Sequence, residues 1–220
     1  MTDFPRRASE IASLAQLTQA LGHADRIAFD LDGTIYDTRD FERPALASVA
    51  QWLRAKSGQP LDGMEQDLWT RRESDRHRPG LFDDLLVVNR MPVAWGAECL
   101  RRFHEYPAGE LQWADSLKIY LLGLRAAGRR LALVTNGIAS LQKRKSEALG
   151  LGGIFDKCVY CEPAFPAWQK PSPWAWSVLA EWRSALPAIY VGDDPVDQQF
   201  AEAGNAGFVH FRFRSAKYEN

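Results

Sequence analysis

Short apolar runs that end on carboxylate, hydroxyl or amide side chains constrain this chain more than any other feature. They are RIAFDLDGT (26–34), RRLALVTNG (129–137), KCVYCE (157–162) and AIYVGDD (188–194), with a further run, GFVHFRF (207–213), near the carboxyl end. Such runs read as short strands of a buried parallel sheet. Helical patterns lie between them. Ser116–Ala127 puts Leu117, Tyr120, Leu121 and Leu124 on one face, and Ser140–Leu149 follows the second run. Ser172-Pro173 and Asp194-Pro195 each offer an N-cap side chain followed by proline at the first helical position. Ahead of the first run, Ala8–Leu21 carries Ile11, Leu14, Leu17 and Leu21 at helical spacing, and Gly22 stops it. Strands alternating with helices predict an α/β fold, with βαβ units, a parallel sheet, right-handed crossovers and helices on both faces.

One block breaks the alternation. Residues 38–113 contain no good strand and read as helices at Pro44–Lys56, Met64–Arg76 and Pro92–Tyr106. The predicted organisation is therefore a core of 1–37 and 114–220 with a helical insert at 38–113. A length of 220 residues suits a core domain with a small insert. Apolar residues make up 46% and charged residues 25%, and the net charge is −1, so no global field draws the chain to a nucleic acid polymer or an anionic membrane. MTDFPRRASE has no apolar run of the secretory kind, and no stretch is apolar for long enough to cross a bilayer. Cys99, Cys158 and Cys161 cannot build a disulfide framework, and with the leader absent the expected location is the cytoplasm. Cys158 and Cys161 form a C-x-x-C pair, but a strand through them puts the thiols on opposite faces, with no second pair to complete a zinc set.

Ligands of open parallel sheets bind beyond the carboxyl ends of the strands. The reactive side chains fall there: Asp30 and Asp32, Thr135 and Asn136, and Asp193 and Asp194, with Lys170 in the loop QKPSP ahead of a helix. A phosphate monoester needs an in-line nucleophile, neutralised phosphoryl oxygens and a proton for the leaving oxygen. Asp30 suits the nucleophile, forming an aspartyl-phosphate, and Asp32 the general acid and then base. Asp30 and Asp193 suit Mg²⁺, a hard cation that prefers carboxylates and keeps water. Thr135 and its neighbouring amides can hold phosphoryl oxygens, and Lys170 supplies positive charge. Taken singly, each of these has another reading: DG and TNG are turn signals, and Asp194 before Pro195 is a helix cap as readily as a ligand.

In order along the chain, FDLDGT (29–34), VTNG (134–137), Lys170-Pro171 and VGDDPVD (191–197) resemble the four motifs of the haloacid dehalogenase-like (HAD) hydrolase superfamily. The resemblance covers roughly Arg26 to Gly207. It implies a Rossmann-like core with a helical cap inserted after the first strand. It implies Asp30 as nucleophile and metal ligand, Asp32 as acid/base with its carbonyl on the metal, and Asp193 as metal ligand. Thr135 and Asn136 would bind the phosphoryl group, Lys170 would fix nucleophile and phosphate, and Asp197 would support the lysine or a metal-bound water. Asp194 stands where many relatives carry serine. Dehalogenases of the superfamily lack an acid at the position of Asp32. A halide leaves without a proton and an alkoxide does not, so Asp32 favours phosphoryl chemistry.

The expected function is thus a Mg²⁺-dependent phosphatase acting on a small phosphorylated metabolite, in a monomer or homodimer. A phosphomutase of the β-phosphoglucomutase kind would use the same residues, and a non-catalytic binding protein could share the fold. In the insert, RRESDRHRPG (71–80) offers Arg71, Arg72, Arg76 and His77 to an anionic substrate, or reads as a solvated face of interleaved charges. Trp69, Trp95 and Trp113 can stack on a base or sugar, or belong to the core. The segment EPAFPAWQ (162–169) can shape the pocket rim or merely pack.

Overall fold

The computed structural model describes residues 13–60, 62–75, 80–109, 111–179 and 188–218. Along them run α1 (Leu14–Leu21), β1 (Arg26–Phe29), α2 (Arg39–Ser57), α3 (Met64–Ser74), α4 (Leu81–Val88), α5 (Gly96–Glu105), α6 (Asp115–Ala126), β2 (Arg130–Asn136), α7 (Ala139–Ala148), β3 (Lys157–Cys161), α8 (Trp174–Val178), β4 (Ala188–Gly192), α9 (Pro195–Ala203) and β5 (Gly207–His210). None of these helices is long and apolar enough to cross a membrane. By internal contacts the chain divides into two compact units, one of Met1–Thr38 with Gly109–Asn220 and one of Arg39–Ala108.

The first unit holds a five-stranded sheet in the order β3-β2-β1-β4-β5. All neighbouring pairs are parallel, with Ala28 in register with both Ala132 and Tyr190. Strand order reverses at β1, so right-handed crossovers carry the flanking helices to opposite faces. Side chains alternate across each strand. One face contributes Ala28, Ala132, Val134, Val159, Cys161 and Tyr190 to a core with Ala175, Trp176 and Leu179 of the α8 region and Phe200 and Ala201 of α9. The alternate set, Ile27, Phe29, Leu131, Leu133, Ile189 and Val191, is equally buried on the other face. The result is the α/β, Rossmann-like arrangement expected from the alternation of runs.

The strand through KCVYC leaves Cys158 exposed and Cys161 buried, as the two-residue period requires. α1 opens at Leu14 with Ser13 as N-cap, its hydroxyl accepting from the Gln16 amide at 3.2 Å. Residues 8–12 of the expected helix lie outside the described residues. The expected start at Ser172-Pro173 is corrected: α8 begins at Trp174, with Pro173 at the N-cap. The Ser172 hydroxyl donates to the Ala167 carbonyl at 2.6 Å, so it belongs to the preceding turn. That turn carries EPAFPAWQ, which packs on itself: Phe165 stacks on Trp168 at 4.2 Å and Trp168 on Trp174 at 4.6 Å.

The second unit is helical. Its core joins Leu46, Val49 and Leu53 of α2 to Leu68 and Trp69 of α3, Leu85 and Leu86 of α4, and Cys99 of α5. Trp69 is thus a core residue. The helix expected from Pro44 starts at Arg39 instead, with Pro44 inside it and Asp40 and Glu42 in its first turn. Proline has a helical φ, and acids at a helix N-terminus meet the positive end of the dipole. α4 did not figure in the sequence reading. Arg71 pairs with Asp67 at 2.9 Å and Arg72 with the buried Glu42 of α2 at 2.7 Å, both partners lying outside the 71–80 segment. Arg76 and His77 lie outside the described residues.

Phe200 stacks on Trp176 with centroids 4.9 Å apart and meets Tyr190 edge-on at 5.0 Å. Removing a fully buried ring leaves a cavity costing about 3–5 kcal/mol. Phe200→Ala is therefore expected to lower unfolding free energy by about that amount, read from the urea midpoint at constant m-value.

Candidate active site

β1 delivers Asp30 to the carboxyl edge of the sheet. The Asp30 amide donates to the Val191 carbonyl at 2.9 Å, extending the ladder with β4 by one residue. Its side chain meets the ammonium of Lys170, whose three N–H groups are all used. Nζ lies 2.7 Å from Asp30 Oδ1, 2.6 Å from Asp197 Oδ1 and 2.9 Å from the Tyr190 hydroxyl. The Tyr190 hydroxyl donates onward to the Val134 carbonyl at 2.7 Å. Asn136 anchors the same lysine by its main chain: Lys170 N donates to Asn136 Oδ1 at 2.8 Å, and Asn136 Nδ2 donates to Lys170 O at 3.0 Å. The Asn136 side chain, assigned from sequence to a phosphoryl group, is here turned to Lys170.

α9 builds the fourth strand end. Asp194 is its N-cap, with Oδ1 accepting from the Val196 amide at 2.9 Å, and Asp197 completes a capping box. Of the two readings of Asp194, the geometry is that of the cap. Asp197 works at both oxygens: Oδ1 on Lys170, and Oδ2 on the amides of Asp193 and Asp194 at 3.1 and 3.2 Å. Asp193 is 3% exposed and accepts from Arg212 Nε at 3.1 Å. Gly33 permits its approach. A Cβ on Gly33 would stand 2.4 Å from Asp193 Oδ2, and its φ of +81° is already left-handed.

Oxygens of Asp30, Asp193 and Asp197 lie within 4.8 Å of one another, all three side chains buried. Burial pushes the Asp30 carboxyl up; Lys170 opposes it, and Asp197, Asp32 and Asp193 add to it, leaving the group raised to about 8. Burial would likewise lower Lys170, but Asp197 and Asp30 hold its ammonium well above the usual range. Surplus negative charge on hard oxygen donors in a buried cluster fits a divalent cation such as Mg²⁺.

Asp32 sits in a different environment. Its Oδ1 accepts from Lys145 Nζ at 2.8 Å and from the Tyr36 hydroxyl, and its Oδ2 accepts from Gln142 Nε2 at 2.6 Å. The same Nε2 lies 2.8 Å from Thr135 Oγ1. Burial alone would raise the Asp32 carboxyl, but Lys145 with the hydrogen bonds from Gln142, Lys145 and Tyr36 lowers it to about 2. The structure thus brings Asp30, Lys170, Asp193 and Asp197 into one cluster, and Asp32 with Thr135 into another. Sequence reading missed Gln142, Lys145, Tyr36, Tyr190 and Arg212. One signal existed for two of them: Gln142 and Lys145 are three residues apart, hence on one face of the helix that follows VTNG.

Because the folded Asp32 carboxyl is depressed from 3.8 to about 2, its contribution to stability is present above pH 3.8 and is lost as pH falls through 2. Asp32→Asn should be less stable than the parent by about 2 kcal/mol at pH 7. The gap should close as pH is lowered towards 2, as read by urea unfolding in chelator across that range.

The comparisons with known proteins show the family and the fold. The family described as Haloacid dehalogenase-like hydrolase matches residues 27–211. A glyceraldehyde 3-phosphate phosphatase of Methanopyrus kandleri is 26% identical over 205 residues, covering 88% of this chain and 85% of that protein. Among solved structures, a protein from Thermotoga maritima provisionally assigned as a β-phosphoglucomutase superposes with a TM-score of 0.65 at 18% identity, over 87% of this chain and 88% of its own. A hydrolase from Streptococcus pneumoniae TIGR4 does so at 0.59 and 16% identity, over 88% of this chain and 95% of its own. With a match running from the first residues of β1 to just past β5, the chain belongs to the haloacid dehalogenase-like hydrolase family.

Proposed function

We propose that this protein is a Mg²⁺-dependent phosphatase that hydrolyses a small phosphomonoester through an aspartyl-phosphate on Asp30. The observation that carries the reading is a pair of carboxylates two residues apart, held by different cations in separate networks: Asp30 on Lys170 at 2.7 Å and Asp32 on Lys145 at 2.8 Å. Two carboxylates with unlike surroundings suit unlike roles. Asp32, ionised in the free protein, takes up the proton of the monoanionic ester as it binds; Asp30 then attacks phosphorus as the ester P–O bond breaks, and Asp32 passes that proton to the departing alkoxide. Asp32 then takes a proton from the water that attacks the phosphoryl group, and Asp30 is released. Lys170 holds the nucleophile in place, and the Thr135 hydroxyl is available to a phosphoryl oxygen. Asp30 and Asp193, with the Asp32 carbonyl, would hold Mg²⁺, which when bound supplies positive charge against the phosphoryl oxygens. The helical unit of Arg39–Ala108 would act as the cap that selects substrate and excludes water. The relative from Methanopyrus kandleri makes glyceraldehyde 3-phosphate the first substrate to try.

The test is a screen of phosphorylated metabolites, beginning with triose phosphates, for released inorganic phosphate in Mg²⁺ and again in chelator. Release is expected only with the metal, and Asp30→Asn should lose turnover on the order of 10⁴-fold. An isomerised sugar phosphate without net phosphate release would identify a phosphomutase instead. Full turnover by Asp30→Asn would refute the nucleophile.

A further inference from the structure

Two buried side chains of α7 have no part in the chemistry just described. Gln142 is 1% exposed and Lys145 is 5% exposed, three residues apart on one face. Withdrawing an ammonium from water costs several kcal/mol unless a well-placed anion and hydrogen bonds offset it. Lys145 has that anion in Asp32 Oδ1 at 2.8 Å. Gln142 directs one amide nitrogen at three acceptors: Asp32 Oδ2 at 2.6 Å, Thr135 Oγ1 at 2.8 Å and the Asn136 carbonyl at 3.1 Å. Its own Oε1 is buried and finds no hydrogen-bond partner. Turning the amide over would put that oxygen against the Asp32 carboxylate and the Asn136 carbonyl, both acceptors, so the orientation is decided by what the nitrogen serves. A buried carbonyl without a partner forfeits its hydration without return. A residue that served only packing would avoid that cost with leucine or methionine.

The consequence is geometric. A carboxylate on a short side chain rotates about χ2 over a broad range. Here both oxygens of Asp32 are held, Oδ1 by Lys145 and Tyr36 and Oδ2 by Gln142. Gln142 also ties the carboxylate to the Thr135 hydroxyl, so the two groups move as one piece with α7. We propose that Lys145 and Gln142 are positioning residues that set the Asp32 carboxylate against the leaving-group oxygen while Thr135 keeps the phosphoryl group in register. A catalytic group misplaced by about 1 Å can cost on the order of 10²-fold in rate. The inference rests on the proposed function, because it acts through the proton that Asp32 delivers.

Leaving groups separate this role from a structural one. An alkyl phosphate needs the proton, whereas p-nitrophenolate leaves without one. First-turnover release of alcohol from glycerol 3-phosphate and of p-nitrophenol from p-nitrophenyl phosphate are to be compared in Mg²⁺. Lys145→Met should slow the first by about 10–100-fold with KM within about twofold, and the second by less than about threefold. Gln142→Leu, which releases Thr135 as well, should slow both and weaken inhibition by inorganic phosphate. If Lys145→Met does not fold, by near-ultraviolet circular dichroism, Lys145→Gln keeps a donor and is read by the same ratio. Equal losses of Lys145→Met on the two esters, or no loss on either, overturn the positioning role. A wild type that releases phosphate from neither test ester nor any ester of the screen in Mg²⁺ overturns the phosphatase reading and this inference with it; one that hydrolyses both test esters, with Lys145→Met losing both equally, overturns the inference alone.

Discussion

The ammonium of Lys170 organises this unit. A cation 4% exposed at its side chain is tolerable only if its three donors are used, and Asp30, Asp197 and Tyr190 use them. Those partners come from the end of β1, the first turn of α9 and the middle of β4. Asn136, at the end of β2, takes the lysine's main chain from both sides. Segments far apart in sequence are therefore fixed at a common point by short, charge-assisted bonds. Losing the lysine would leave two buried carboxylates facing each other, so the same contact carries the architecture and, on the proposed reading, holds the nucleophile.

The strand ends are legible in sequence because the constraint there is local. A short apolar run that stops on Asp, Thr or Gly identifies both the strand and its reactive edge, as FDLDGT, VTNG and VGDD do. Lys170 is legible only through its place between such runs, since a lysine before proline is ordinarily a solvated loop residue. Gln142 and Lys145 are harder still. Within LQKRKSE they look like part of a solvated helix face, and the ion pair that makes them buried joins residues 113 positions apart. α4 escaped notice for the opposite reason: LFDDLLVV is a brief apolar run with an acidic first turn, and the charged stretch before it dominates the pattern. Ser172-Pro173 has the composition of a helix start, but the hydroxyl is taken by the Ala167 carbonyl, a contact within a turn whose shape composition does not reveal.

Aspartates 30 and 32 show how two identical side chains diverge within one segment. Both are desolvated, and burial pushes both carboxyls upwards. Asp30 shares the Lys170 ammonium with Asp197 and lies near further carboxylates, so its charge is poorly compensated without a metal. Asp32 has Lys145 with two neutral donors besides, and its carboxyl falls well below the usual range. The difference comes from the elements supplying the partners: the loop after β3 and the start of α9 for Asp30, and α7 for Asp32.

The cations at the strand ends are each already engaged. Lys170 holds Asp30 and Asp197, Lys145 holds Asp32, and Arg212 holds Asp193. A phosphate dianion entering such a site meets buried carboxylates whose balancing charges are committed to them. On the proposed reading, binding must then either redistribute these pairs or bring in more positive charge, and a divalent cation among Asp30 and Asp193 does the second without breaking the first. Arg212 is the most exposed of the three cations, with a side chain 38% accessible, so its pair with Asp193 is the easiest to exchange. Gly33 leaves open the space that the Asp193 carboxylate occupies, since any side chain there would fill it. On the proposed reading, metal dependence and the tight turn of FDLDGT are one requirement, imposed by the need to gather three carboxylates before an anion arrives.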